Sequence, residues 1–257
     1  NFGTTEEPAV LAHEGGSWDA FCAGYRPDGE LAWVRGIQGT GGQRAQSIAY
    51  HAGHVYAYGV CSGESHADNV VSLSAGNNNQ AFLCKLDTAG QVKWLLGHGG
   101  VGSEVGEAIR ADAIHLYIMG SFTDITDVDP GPGVIQLQPN GVGGNVYFAK
   151  LDTAGNALWA HGLQSNNHFD GVCDLACDSQ GRVYVTGAHS VEQDFDPGPE
   201  ETILPMTIAN DLYLAMYMGD GSFGWARGVA THGVFDTANG LVTDAMGNVY
   251  VTGSFGD

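Results

Sequence analysis

Residues 81–94 read AFLCKLDTAGQVKW, and residues 146–159 read VYFAKLDTAGNALW. Two further stretches align with them without a gap, AFCAGYRPDGELAW at 20–33 and LYLAMYMGDGSFGW at 212–225. The tryptophans that end these phrases, Trp33, Trp94, Trp159 and Trp225, are separated by 61, 65 and 66 residues. A second phrase recurs out of phase with the first, as HVYAYG, HLYIMG, RVYVTG and NVYVTG. Its tyrosines, Tyr56, Tyr117, Tyr184 and Tyr250, are 61, 67 and 66 residues apart. Two series that keep step along the chain define one repeating unit.

Each unit holds four short runs of alternating or β-branched apolar character, bounded by Gly, Asp or Asn. In the third unit they are GVCDLACD, RVYVTGAH, DLYLAMYM and FGWARGVA. The first two runs are joined by turns such as Asp178-Ser179-Gln180-Gly181, and the second two at Gly29, Gly90, Gly155 and Gly221. At these positions glycine supplies the positive φ of a tight hairpin. Between the hairpins lies a longer insert, for example residues 190–209, whose Pro and Gly content predicts a surface loop.

A four-stranded meander with two apolar faces is covered only by its neighbours, which is the condition of a propeller blade. The expected fold is therefore all-β, a β-propeller of four four-stranded antiparallel blades forming a single domain over 1–257. The blades are expected at roughly 44–98, 106–164, 171–230, and 238–257 combined with 1–38, so that N- and C-terminal strands close the last blade. Excision from a longer array, or two chains joining, would produce the same phase. Asn1 starts neither a signal peptide nor a Met-initiated chain, so a processed or excised segment is expected. The repeated Trp and Tyr read as packing residues between blades.

Composition agrees with many short strands. Glycine reaches 40 residues of 257, about double the usual share of about 7%. The 29 acidic and 9 basic residues give a formal net charge of −20. The basic residues form no run, which argues against nucleic acid and against an anionic membrane surface. No run of eighteen apolar residues predicts membrane insertion. The carboxylate surplus suits a soluble, extracellular setting that attracts divalent cations. The five cysteines, Cys22, Cys61, Cys84, Cys173 and Cys177, are odd in number and irregular in spacing, so no disulfide framework is implied. Cys173 and Cys177 lack the second pair a zinc site needs and read as small buried residues.

The phrases VYVTGSF, DFDPGP and AKLDTAGNALWA, with the recurring Gly-rich run, resemble the bacterial secreted β-propeller repeat family often called SBBP repeats. The resemblance covers essentially the whole chain. It implies an extracellular or cell-surface protein with a scaffold or recognition role, and it supplies no catalytic residues. The first unit departs from the pattern, since NFGTTEEP and the segment around Asp68 lack the DxDPGP phrase.

The most site-like feature is Asp127-Val-Asp129-Pro-Gly-Pro, repeated as Asp194-Phe-Asp196-Pro-Gly-Pro. Asp127, Asp129, Asp194 and Asp196 could share a calcium ion, with Asp124 or Glu200 adding oxygens. The competing and preferred reading is that these carboxylates accept backbone N–H groups and fix the turns at Pro130 and Pro197. Asp112, Asp178 and Asp244, with His51 in the corresponding place, could ring one rim, but recurrence in every unit favours a turn role over catalysis. His51 and His54 flank a turn. No H-E-x-x-H, nucleophile elbow or phosphate-cradling loop before a helix is present.

The first functional expectation is thus a non-enzymatic extracellular scaffold that presents rim loops to a protein or glycan partner. The alternatives are a homo-oligomer joined through its terminal half-blades, or a carbohydrate-binding or carbohydrate-active propeller using acidic loops and aromatics such as Trp18 or Phe169.

Overall fold

The computed structural model describes residues 10–68, 71–76, 78–139, 144–164, 172–189, 192–205, 211–229 and 237–255, and every regular element among them is a β-strand. In chain order these are β1 (Ala20–Tyr25), β2 (Leu31–Gly39), β3 (Gln43–His51), β4 (His54–Cys61), β5 (Glu64–Ala67), β6 (Val71–Ser74), β7 (Gln80–Asp87) and β8 (Val92–Gly100). There follow β9 (Glu104–Ala111), β10 (Leu116–Phe122), β11 (Thr126–Asp127), β12 (Gln136–Leu137), β13 (Asn145–Leu151), β14 (Ala157–Gln164) and β15 (Val172–Cys177). The last are β16 (Val183–His189), β17 (Gln193–Asp194), β18 (Ile203–Leu204), β19 (Asp211–Tyr217), β20 (Phe223–Val229), β21 (Thr237–Thr243) and β22 (Val249–Ser254).

Three repeats form complete four-stranded antiparallel meanders. Their orders are β3-β4-β7-β8, β9-β10-β13-β14 and β15-β16-β19-β20, referred to below as units one, two and three. Equivalent residues pair in equivalent register. Val55 faces Leu86, Leu116 faces Leu151 and Val183 faces Tyr217.

The hairpins form where the sequence places Asp three residues before Gly. In β7–β8 the Gly90 N–H donates to Asp87 O at 2.9 Å, and Asp87 Oδ1 accepts the N–H groups of Ala89 and Gln91 at 2.9 Å each. Gly90 then takes φ 76° and closes the turn with a bulge, as three-residue hairpin loops do. Asp152, Asp178 and Asp244 use the same atoms in the same way.

The inserts are not simple surface loops. β5–β6 leaves unit one and pairs with β2, placing Ile37 opposite Ala67. In the same way β11–β12 leaves unit two and pairs with β8, placing Thr126 opposite Gly100. Each insert thereby covers the outer edge of the preceding sheet, an edge that would otherwise expose unpaired backbone. In unit three β17–β18 forms its own small hairpin.

The core lies between successive sheets. Tyr56, Tyr58 and Leu83 of unit one pack with Ile109, Ile118, Tyr147 and Leu151 of unit two. Tyr117 and Phe148 of unit two pack with Leu175, Val185 and Tyr217 of unit three. Each such fully buried side chain contributes about 1.5–3 kcal/mol. The tryptophans reach across the same seams. Trp33 Nε1 donates to Thr88 O at 2.9 Å, and Trp159 Nε1 donates to Gly219 O at 3.2 Å. So do the lysines of the adjacent strand, Lys85 opposite Trp94 and Lys150 opposite Trp159. Lys85 Nζ donates to Thr153 O at 3.0 Å, and Lys150 Nζ donates to Gly219 O at 2.8 Å.

The expected closure of a last blade by N- and C-terminal strands is not what the structure contains. Among the described residues β22 pairs only with β21, β1 pairs only with β2, and the two hairpins lie in separate sheets. Each is held by its neighbour in sequence. The Leu241 N–H donates to Asp174 Oδ2 at 3.0 Å and Thr243 Oγ1 to Cys177 O at 2.8 Å, tying β21 to unit three. β1 and β2 instead bury Ala20, Cys22 and Ile37 against Phe82, Cys84 and Leu86 of unit one.

Candidate functional site

The two DxDPGP loops have one construction. Asp127 Oδ1 accepts the N–H of Asp129 at 3.1 Å and of Ile135 at 2.9 Å. Asp129 Oδ1 accepts the N–H of Gly131 at 2.8 Å and of Ala157, at the start of β14, at 2.9 Å. In the second loop Asp194 Oδ1 accepts Asp196 N–H at 3.0 Å and Thr202 N–H at 2.8 Å, and Asp196 Oδ1 accepts Gly198 N–H at 2.7 Å. The residue between the two carboxylates points the other way. Val128 and Phe195 are fully buried, each in the core between two sheets. The motif thus pins a core plug into the seam with a carboxylate hydrogen-bonded on either side. Among the described residues no cluster of three or more His, Cys, Asp or Glu side chains is arranged to hold a metal ion.

The rim carboxylates are similarly occupied. Asp112 accepts the N–H groups of Ile114 and His115 at 2.6 and 2.7 Å and the Tyr117 hydroxyl at 2.5 Å. Burial alone would raise its pKa, but these donors hold it below the usual carboxylate range. Asp178 is also buried, and its pKa too is held down, here by the Arg182 side chain, the N–H groups of Arg182 and Gln180, and the Tyr184 hydroxyl. Tyr250 completes the series by donating to Asp244 Oδ2 at 3.0 Å. Tyr117 and Tyr184 are thus packing residues whose hydroxyls brace the turns of their own units, and Tyr250 makes the same bond from an exposed position. At His51 the equivalent turn is a two-residue loop, with Ala52 at φ 47° and Gly53 at φ 80°. His54 Nδ1 lies 3.1 Å from Ala52 O.

Between the rim turns of units two and three lies a groove of about 510 Å³, lined by Asp112, Ile114, His115, Cys177, Asp178 and Gln180. Its floor carries Lys150, whose ammonium stands 5.7 Å from the centre of the Tyr117 ring. Its apolar wall includes Ile114, which is exposed. Carboxylates held ionised by internal hydrogen-bond donors, beside an accessible aliphatic group, suit hydrogen bonding and apolar contact rather than proton transfer.

A second cluster joins two hydroxyls and an imidazole within the core. Tyr58 Oη lies 2.8 Å from His98 Nε2 and 2.6 Å from Tyr147 Oη, and Tyr147 Oη is 3.1 Å from Val105 O. His98 occupies the position filled by Ile37, Leu163 and Val229 elsewhere. Burial lowers its pKa to about 4. Glu107 is half-buried on β9 and accepts the Ser121 hydroxyl at 3.0 Å, and burial raises its pKa to about 7. Because Tyr58, His98 and Tyr147 are closed to solvent, this triad acts on the fold and not on a ligand. Only the departure of His98 from an apolar position signals it in the sequence.

Cys22 and Cys61 are buried free thiols with pKa values raised by burial to about 11. Cys84 is raised further, and Cys177 to about 12, so none is a ready nucleophile. The Cys173 side chain and Phe169 lie outside the described residues. Trp18 is exposed, with the Arg44 guanidinium 5.3 Å from its ring centre. No helix among the described residues is long and apolar enough to cross a membrane. No family model matches the chain, and no curated protein matches it either.

Proposed function

We propose that the chain is a non-enzymatic scaffold of propeller-type blades, part of a secreted or cell-surface bacterial protein, that presents its rim turns to a protein or glycan partner. The observation that carries this reading is the repeated use of rim and loop carboxylates as acceptors for the chain's own N–H groups. A hydrolytic centre needs one acid and one base with separated environments, whereas here equivalent carboxylates repeat from unit to unit in equivalent bonds. The resemblance to SBBP repeats and the net charge of −20 support the extracellular setting. The groove beside Asp112 and Asp178 is the favoured contact surface.

The test is a screen of the 257-residue chain against a glycan array and a panel of soluble polysaccharides, with release of reducing ends followed in parallel. Binding that is lost in Ile114→Arg, with no product formed, is the expected outcome. Turnover of any polysaccharide overturns the non-enzymatic reading, and binding unaffected by Ile114→Arg overturns the groove.

A further inference from the structure

We propose that the cavity beside Trp18 and Arg44 binds a hexuronate residue of an acidic oligosaccharide, with the sugar ring on the indole and its carboxylate paired with the guanidinium. The first ground is Arg44 itself. The chain has nine basic residues, and all but this one donate to an oxygen of the chain. Arg26, Arg35, Lys93, Arg110 and Arg182 reach carboxylates, and Lys85, Lys150 and Arg227 reach main-chain carbonyls. Arg44 makes no hydrogen bond or ion pair among the described residues. Its guanidinium instead stands 5.3 Å from the centre of the Trp18 ring, free to take an oxygen from a ligand.

The second ground is the lining. A cavity of about 190 Å³ is bounded by Trp18 and Arg44 and by Ser17, Ser62 and Asn79. The side chains of Ser17, Trp18 and Asn79 make no hydrogen bond among the described residues. Ser62 Oγ accepts the Gly42 N–H at 3.0 Å, which leaves its proton to donate. An indole N–H, a carboxamide, two hydroxyls and a guanidinium therefore line one hollow, and no described carboxylate lines it with them. Such an excess of donors suits an anionic, hydroxylated group.

The third ground is departure from the repeat. In the aligned units Trp18 takes the place of Asn79, Gly144 and Asn210, and Arg44 takes that of Val105, Gly171 and Thr237. The backbone at the second place is shared, since β3 bulges just after it at Ala45/Ser47 and β21 at Ala238/Gly240. The unit therefore folds without either side chain, and the two depart together at one cavity. The occupant is a sugar acid because the two side chains ask for different things. A flat indole among hydroxyl and amide groups suits the apolar C–H face of a pyranose with its hydroxyls at the edge, and a guanidinium matches a carboxylate with two parallel hydrogen bonds. One guanidinium in a chain of net charge −20 reads a single carboxylate and repels a densely charged polymer, which favours a short saccharide over a run of acidic peptide. The site lies where β3 begins, at the opposite end of that strand from the turn at His51, and is separate from the groove beside Asp112 and Asp178.

The experiment titrates the 257-residue chain with trisaccharides of galacturonate, mannuronate, guluronate and glucuronate, following the heat of binding. Both side chains are exposed, so their substitution leaves the core alone. Binding of at least one trisaccharide, weakened about tenfold or more by Arg44→Gln and by Trp18→Ala with the circular dichroism unchanged, is the expected result. Its methyl ester, which keeps the ring and loses the charge, is expected to be weakened as far, and Ile114→Arg is expected to have no effect. Failure of all four to bind overturns the proposal, as does equal binding of the ester. Equal binding of triglutamate assigns the cavity to acidic peptides and overturns it too. Binding lost in Ile114→Arg but kept in Arg44→Gln and Trp18→Ala moves the sugar to the rim groove, which overturns this site and leaves the proposed contact surface standing.

Discussion

A methyl group added at Gly90 would stand 2.5 Å from the Trp33 ring, at a residue already holding φ 76°. Both terms oppose any side chain, and Gly90→Ala is expected to cost more than about 1 kcal/mol, read as a lower midpoint in urea. Tryptophan and glycine spacing therefore carried the architecture legibly, since each position is fixed by the other across a seam. The role of His98 was illegible for the opposite reason. Its departure from the apolar residue of the other units marks the position, but the role needs Tyr58 and Tyr147 around it. Its pKa is lowered to about 4 from 6.5, so the unfolded chain takes up a proton that the folded one refuses. Stability therefore falls as pH drops from about 6.5 towards about 4. His98→Leu is expected to flatten that limb of a melting-temperature profile. Glu107 acts in the opposite sense. Its pKa is raised from 4.5 to about 7, so its contribution is complete at low pH and is lost as pH rises through that interval. Glu107→Gln is expected to remove this loss.

Among the elements, the inserts show where sequence reading stopped. Pro and Gly in 127–132 and 194–199 predict loops and do not reveal that a flank of the first pairs with a neighbouring sheet while those of the second pair with each other, because a two-residue strand such as β11 is too short for any periodicity. Nor does the motif announce its buried centre, since one apolar residue between two aspartates resembles any turn. The consequence is measurable. Phe195→Ala is expected to cost about 3–5 kcal/mol, as removal of a fully buried aromatic does. The carboxylates beside it hold N–H groups, so chelation with EDTA is expected to leave the melting temperature where calcium-loaded protein has it. A fall on chelation would restore calcium to Asp127, Asp129, Asp194 and Asp196. The rim candidates Asp112, Asp178 and Asp244 were legible as turn residues because an Asx turn needs only local spacing. The groove between them was not, since it depends on how two sheets meet.

Across the whole molecule, each sheet touches chiefly the sheets before and after it, so stability is built from neighbour contacts along a line. Native-state hydrogen exchange is expected to find the strongest protection in β13 and β16, which are buried throughout. The weakest is expected in β22, which is exposed along most of its length. The formal charge of −20 repels itself across the molecule, so the melting temperature is expected to rise with added salt as that repulsion is screened. Lys85 and Lys150 occupy one position in two units, and each spans a seam to a carbonyl of the following turn. At the matching position the end units carry Gly24 and Met216. Each lysine is thus a strut of set length that holds the wedge angle between two sheets, and the outer seams lack it. A row of wedges bends by the sum of its angles, so the two inner seams carry a bend of set size and the give of the molecule gathers in the outer two.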